Sequence, residues 1–383
     1  MLIILPAFAS ILLIIPIFSI AVLTLLTLAA CFPSRPLPEA KDRRKLAIII
    51  PAHNEEVLIA ETVAVALAQR YAQDKFEVVV IADNCNDRTV ALAREAGARV
   101  LERSGDPGKG QALKYTLDIL LQEDWDGFLI TDADSHLGVN SLQTMNNLLA
   151  DKREIFQFRY GVLNPDESIR TTVFEFSMAS FNALRLKGKD RLGISVGING
   201  NGFGFSRDVI QKVPYLAHSI VEDIEYHMHL LNAGYRVHYS DHGSVLSQMP
   251  VDAAEAETQR ERWERGRIFT IKAYAPNMAR LALTGNTRGL MGLLDIFMPP
   301  VSLICILLLV GTLLGGQPFY LLGMTLFVLL IAHYLISAYQ YGRLSSIFKI
   351  ALYIPYYFVW KTVILLKSLI SKKTLGWIRT KRH

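Results

Sequence analysis

The sequence predicts an α/β protein built on a mostly parallel sheet, with apolar helices at both ends that are fit to cross a membrane. Three observations carry this. Short apolar, β-rich runs at 46 to 50, 76 to 83 and 127 to 134 alternate with helical patterns. Met1 to Cys31 contains no charged residue. The chain is 51% hydrophobic and 20% charged, with a mean hydropathy of +0.27, too apolar for an ordinary soluble enzyme and too charged for a pure transporter.

At about 1.5 Å per residue, Met1 to Cys31 exceeds a hydrocarbon core of roughly 30 Å. A cleaved signal peptide would start basic and carry an apolar region of about 7 to 15 residues. Neither holds, so residues 1–33 are expected to be a retained transmembrane anchor. The basic cluster Arg35, Lys41, Arg43, Arg44 and Lys45 follows. Such clusters stay on the cytoplasmic side, which predicts a cytoplasmic domain over residues 46–250.

Within that domain, "LAIII", "FEVVVIAD" and "GFLITDAD" read as strands, separated by "EEVLIAETVAVALAQRY" and "TVALAREAGA" at helical spacing. Strand-helix-strand repetition implies right-handed crossovers, and the ligand then lies beyond the carboxyl ends of the strands. Those ends carry "PAHNEE", "ADNCNDRT" and "TDADS".

Residues 251–288 are expected to form interfacial helices, and 289–383 a membrane region of two or three helices with a basic tail. Apolar segments at about 290 to 315 and 317 to 340 are each long enough to span. In the third, 345 to 370, Lys349, Lys361 and Lys367, with Lys372 beyond it, fall within roughly a 140° arc. That favours a helix lying in the interface and leaves "SKKTLGWIRTKRH" in the cytoplasm. No Asp or Glu follows Asp295, while nine Lys or Arg do, an asymmetry suited to an anionic membrane surface. No nucleic-acid reading motif is present, and the three cysteines form no CxxC pair.

The chemistry-bearing residues sit in a few stretches. Asp132 and Asp134 of "TDADS" are two apart at a strand end, so alternation would aim both carboxylates at one side. They would repel without a cation between them, and Mg²⁺ or Mn²⁺ shared with a diphosphate would serve; an Asx turn would also explain the pair. Asp83 ends an apolar strand where it could accept from a base or ribose, or mark a turn before a helix capped by Asn86 or Asp87.

In "HSIVEDIEYHMHLLNAGYRVHY", Ser219 and Glu222 have capping-box spacing and Gly234 suits a C-cap. Asp223 then falls in the first turn, where the helix dipole favours the ionised form of a general base; Glu222 and Asp223 could equally be ordinary N-terminal acids. Lys109 in "GDPGKGQALKYTL" could touch a diphosphate as a point charge, although the Walker spacing is absent. In "NGNGFGFSRD", Asn201 and Gly202 lie on a bend that could let an acceptor near the backbone, or form a plain turn. Were "EAETQRERWERGRIF" helical, Gln259, Arg262 and Trp263 would share one face at i, i+3 and i+4. An arginine there can grip phosphate, and a tryptophan can stack on a sugar ring or an arginine. His227 and His229, two apart on a helix, read as structural.

In their order along residues 46 to 270, "PAHNEE", "ADNCNDRT", "TDADS", "VEDIEY" and "QRERW" resemble the motif series of membrane-integrated family 2 glycosyltransferases, the cellulose, chitin and hyaluronan synthase group. The chain looks most like the bacterial exopolysaccharide-type members. The resemblance implies a GT-A fold, a UDP-sugar donor, Mg²⁺ or Mn²⁺, and inversion at the anomeric carbon. It implies a nucleoside pocket of Pro51, His53, Glu55 and Asp83 with Lys109 near it, Asp132 facing the nucleotide, and Asp134 on the metal. Asp223, beside Glu222, would be the base, and Gln259, Arg262 and Trp263 would bind the diphosphate and the acceptor end.

The expected function is transfer to a lipid-linked or membrane-bound glycan acceptor at the bacterial inner membrane, among membrane lipids and other polysaccharide-assembly proteins. Processive polymer synthesis is the alternative, set against the small number of membrane helices. A sugar-nucleotide sensor or scaffold would have lost the base or the metal ligand, and this sequence keeps both. A dehydrogenase is excluded because no GxGxxG follows the first strand.

Overall fold

The computed structural model describes residues 4–33, 36–342 and 344–370. Arg35 of the basic cluster and the tail segment "SKKTLGWIRTKRH", with Lys372, lie outside the described residues.

Helix α1 (Ile4–Cys31) leads into β1 (Leu46–Ala52), α2 (Ile59–Leu67), β2 (Phe76–Asp83), α3 (Thr89–Glu95), β3 (Arg99–Arg103), α4 (Lys109–Leu120) and β4 (Gly127–Ile130). β1 and β2 are rich in β-branched residues and, like β4, apolar on both faces because both faces are covered. Ile49 and Ile130 face α4, whereas Ile48, Ile50 and Val80 face α2, α3 and the later helix α5 (Ser141–Ala150). β5 (Ser135–Leu137) precedes α5. After it come β6 (Ile155–Val162), α6 (Ile169–Ala179), a π-turn at Ser180–Leu184, α7 (Arg185–Arg191), β7 (Phe203–Ser206), α8 (Arg207–Lys212), α9 (Glu222–Asn232) and β8 (His238–Ser247).

One eight-stranded sheet runs β3-β2-β1-β4-β7-β6-β8-β5. It is parallel through β3-β2-β1-β4, then mixed: β7 is antiparallel to β4 and β6, β8 is parallel to β6, and β5 is antiparallel to β8. The strands legible in the sequence all belong to the parallel half. Pro51 is tolerated inside central β1 because its missing N–H falls on the β4 side, where the ladder has ended; Thr131 N already donates to Ile49 O.

β4 stops at Ile130, so Asp132 and Asp134 occupy the turn between β4 and β5 rather than a strand end. α9 starts at Glu222, not after Ser219, and no capping box forms there. Glu225 instead accepts from the backbone N–H of His218 and Ser219 (3.0 and 2.8 Å), satisfying donors ahead of the helix. Gly234, at φ +90°, does close the helix.

Helix α10 (Ala253–Leu283) carries "QRERW", followed by α11 (Thr287–Phe297), α12 (Val301–Gly315), α13 (Gln317–Tyr341) and α14 (Ile347–Ile370). The expected span at 290 to 315 is broken. α11 and α12 meet at 79° across Met298, Pro299 and Pro300, since the prolines donate no N–H and exclude helix from the residue before them. Among the described residues, three helices are long and apolar enough to cross a membrane: Leu5–Cys31, Phe319–Tyr341 and Leu344–Leu365, with a fourth if the bent pair counts as one span. Two lysines of α14 turn toward α10: Lys367 pairs with Glu257 at 2.7 Å, and Lys361 lines a cavity that α10 shares.

α1 is docked on the sheet domain. Gly188 of α7 lies so close that a Cβ there would stand 2.1 Å from Leu26 O. His333 of α13 bridges Thr27 (2.6 Å) and Ser180 (2.7 Å), tying α1, the π-turn and α13 together.

Candidate functional site

A cavity of about 1080 Å³ opens at the carboxyl ends of β1 and β4 and continues between α6, α9, α10 and the apolar helices α12 to α14. At the sheet end its wall is formed by Pro51, His53, Glu55 and Lys109, with both aspartates of the turn after β4. His53 Nδ1 donates to Asp83 O (2.7 Å), a carbonyl that can only accept, which fixes the ring's tautomer.

Asp83 itself does not line the cavity. It is fully buried; Arg103 donates to its Oδ1, and Gly108 N donates to its Oδ2 at 3.2 Å. A carboxylate buried at the end of a strand requires such partners, and these hold the loop that leads to Lys109. The helix after this strand is led by Asp87, which accepts from Thr89 N at 3.0 Å.

Lys109 donates to Asp132 and to Gly200 O (2.6 Å), and its ammonium lies 4.0 Å from Glu222. Burial alone would lower its pKa, yet Asp132, Glu222 and Asp223 outweigh it and hold the lysine above its ordinary range. Gly110 makes this placement feasible, because a Cβ there would meet Ala217 O at 2.0 Å.

Asp134 accepts from Ser135 Oγ at 2.7 Å. Two hard carboxylates in one turn suit a divalent cation whose remaining ligands are diphosphate oxygens and water. No group of three or more His, Cys, Asp or Glu set to hold a metal occurs among the described residues.

Asn201 and Gly202, expected at the acceptor, do not line the cavity. Asn201 is fully buried under the turn: its Oδ1 accepts from Asp132 N (3.1 Å), and its Nδ2 donates to Ser135 and Ser247 (both 2.8 Å). Gly202 is pressed on Val245, 2.3 Å from where a Cβ would stand. Their neighbours Asn199 and Gly200 are the ones that reach the cavity.

Glu222 and Asp223 enter from the first turn of α9. Burial raises the pKa of both; Lys109 opposes this for each, and Asp223 also keeps an N–H bond from Ile224 (2.8 Å). The dipole was expected to favour the charged form of Asp223, but desolvation outweighs it. A carboxylate with a raised pKa is the better general base near neutrality.

Gln259, Arg262 and Trp263 all line the cavity from one face of α10. The same face carries Gly266, where a Cβ would stand 2.1 Å from Val221, so this helix abuts the residue immediately before Glu222. Trp263 meets Phe174 edge-on (6.5 Å), and the guanidinium over its ring is that of Arg260 (4.9 Å), not Arg262. Tyr160, not singled out from the sequence, and His227, read from it as structural, complete the wall. Tyr160 faces the two aspartates, and burial followed by their charges pushes its phenol up to about 12. His227 is buried against Ser195 (2.9 Å), and burial pushes its imidazole down to about 4.

The family description "Glycosyltransferase like family 2" matches residues 43–266, more than half of the chain. The chain belongs to that family.

This family 2 member is 24% identical over 251 residues to the probable glycosyltransferase YdaM of Bacillus subtilis (strain 168), a match covering 63% of this chain and 59% of YdaM. The chain thus spans less than two thirds of the length of that curated relative. The solved mannosyltransferase PcManGT from Pyrobaculum calidifontis, in complex with GDP-Man and Mn²⁺, superposes on 96% of this chain and 100% of its own, with a TM-score of 0.59 and 17% identity. The shared fold is GT-A-like; in this chain it is a mixed α/β sheet with apolar helices at both ends. Glucosyl-3-phosphoglycerate synthase from Mycobacterium tuberculosis, with Mn²⁺ and UDP, covers 61% of this chain and 84% of its own at a TM-score of 0.42 and 18% identity.

Proposed function

We propose that the protein is an inverting glycosyltransferase that moves a sugar from a UDP-sugar to a lipid-linked or membrane-bound acceptor in exopolysaccharide or envelope glycan synthesis. The observation that carries this is the single cavity that joins the aspartates of the β4–β5 turn and Asp223 to the apolar walls of α12, α13 and α14. A soluble acceptor would have no use for those walls. A lipid-borne one can lay its tail there and bring its hydroxyl to Asp223.

In this reading Pro51, His53 and Glu55 flank the nucleoside. Asp134, with Asp132 beside it, would hold Mg²⁺ or Mn²⁺, which supplies Lewis-acid stabilisation of the diphosphate when bound. Asp223 takes the proton from the acceptor hydroxyl, which attacks the anomeric carbon opposite the diphosphate through an oxocarbenium-like state. Lys109 and Arg262 offset charge on the departing UDP, and Trp263 offers a face for the acceptor sugar.

The test is UDP release from the detergent-purified chain with Mn²⁺ or Mg²⁺, over a panel of UDP-sugars and lipid extracts, beside Asp223→Asn. Turnover with one donor that disappears in the variant supports the reading, and product length then separates single transfer from polymerisation. UDP binding without turnover under any acceptor condition would favour a sensor or scaffold.

A further inference from the structure

We propose that the membrane-facing half of the cavity is an anion subsite, formed by Arg185, Arg260, Arg267 and Lys361, for a phosphate that joins the acceptor's lipid tail to the sugar it presents. This rests on the lipid-acceptor reading above and names the chemistry of that lipid.

α10 shows the cavity two faces. Gln259, Arg262, Trp263 and Gly266 form the face that abuts α9. Arg260, Glu264 and Arg267, at i, i+4 and i+7, form a second face roughly 115° around the helix. The second face meets α14, where Lys361 stands in the field of Arg260, Glu264 and Arg267. Arg185 enters from α7 in the field of Arg267 and Asp295.

Four cations therefore face two carboxylates, and the carboxylates are poorly placed to serve them. Asp295 is committed to the buried Lys189 and lies 3.9 Å from His227. Glu264 reaches Arg267 only at 3.9 Å. Arg185, Arg260 and Lys361 have no ion pair among the described residues. Arg185 stacks on Phe181 (4.6 Å) and Arg260 on Phe174 (4.4 Å).

Arg185 Nε, Arg260 Nε and Arg267 Nη1 are buried without a hydrogen-bond partner among the described residues. Guanidinium groups withdrawn from water with no acceptor are costly. Donors on three segments converging on one cavity are what an anion with several oxygens would satisfy, and guanidinium forks match phosphate. The adjoining walls, with Leu330, Ile350 and Tyr357, are apolar. A neutral lipid would fill those walls and leave the cations uncompensated.

The experiment presents one sugar hydroxyl on three carriers to the full-length chain, with the donor and metal of the panel above. The carriers are an isoprenoid diphosphate, a diacylglycerol phosphate and an uncharged long-chain alkyl chain. Wild type should use a phosphate-bearing carrier with kcat/KM about tenfold or more above the uncharged one, and the better of the two phosphate carriers identifies the source. Arg185→Gln and Arg267→Gln should erase that preference through acceptor KM with donor KM unchanged. Equal use of the uncharged carrier by wild type, or variants that raise donor KM instead, would overturn the proposal. Absence of transfer to any carrier would count against the enzyme reading itself. Thermal stabilisation of wild type by each lipid without donor then decides the subsite: greater stabilisation by a phosphate lipid supports it, and equal stabilisation overturns it.

Discussion

Lys109 and Asp132 form an ion pair across the donor end of the cavity, linking the first turn of α4 to the turn after β4. The same ammonium lies 4.0 Å from Glu222 and lowers the pKa of both Glu222 and Asp223 against their burial. Lys109→Gln should therefore raise both pKa values further. A base works only when deprotonated, so the acid limb of the kcat/KM profile should move to higher pH in the variant. A limb that stays in place would remove Lys109 from the electrostatics of the base.

Asp223→Asn should lower transfer by about a hundredfold or more and stabilise the fold at alkaline pH. Burial raises the folded pKa above the unfolded value. The stability held by the protonated form is complete below the unfolded pKa and is lost as pH rises through the folded one. The amide keeps the oxygen that accepts from Ile224 N. Melting curves at pH 5 and pH 8 should show a variant advantage that is larger at the higher pH.

Asp134→Asn should raise the Mn²⁺ concentration for half-maximal UDP release by at least about tenfold. EDTA should abolish wild-type turnover, and added Mn²⁺ should restore it. Unchanged metal dependence in the variant would move the metal away from this turn.

Gly266→Ala should separate α10 from Val221, where a Cβ would come within 2.1 Å. The cost is about 1–3 kcal/mol of stability, with a loss of kcat beyond what the fraction unfolded explains, because Val221 precedes the two acids of α9. Steady-state rates beside melting curves measure the two effects separately.

Gly188→Ala should loosen α1 from α7, since its Cβ would lie 2.1 Å from Leu26 O. Destabilisation of about 1–3 kcal/mol is expected, together with faster proteolysis of the segment between α1 and β1. Equal cleavage rates would mean that the contact does not hold the anchor.

The strands "LAIII" and "FEVVVIAD" were legible because a strand buried on both faces must be apolar throughout, a property of the strand alone. β3, "RVLER", was not, since an edge strand can carry charge and look like a loop. Two strands of the mixed half escaped for a related reason: Phe203–Ser206 and Ser135–Leu137 are too short to show a period. "DAD" and "ED" could be named as polar groups at element ends and "QRERW" as one face of a helix, and residues of all three do line one cavity. Asp83 and Asn201 were named on the same grounds and lie beneath it. A residue type does not tell whether its acceptor faces a ligand or Arg103. Arg185 and Arg267 left no signal, because what marks them is a buried N–H without a hydrogen-bond partner among the described residues.

The sequence by itself determined the apolar ends, the alternation of strand and helix in the first half, and the order of the polar motifs. Each of these depends on periodicity and composition within a few turns of the chain. Only the tertiary structure decided that Lys109 stands between Asp132 and Glu222, that Arg260 rather than Arg262 lies over Trp263, and that the donor end opens toward the apolar helices. Those are relations between segments far apart in the chain, set by close approaches such as Gly110 on Ala217 and Gly266 on Val221. Burial and Coulomb fields depend on which segments meet, and no local pattern encodes that.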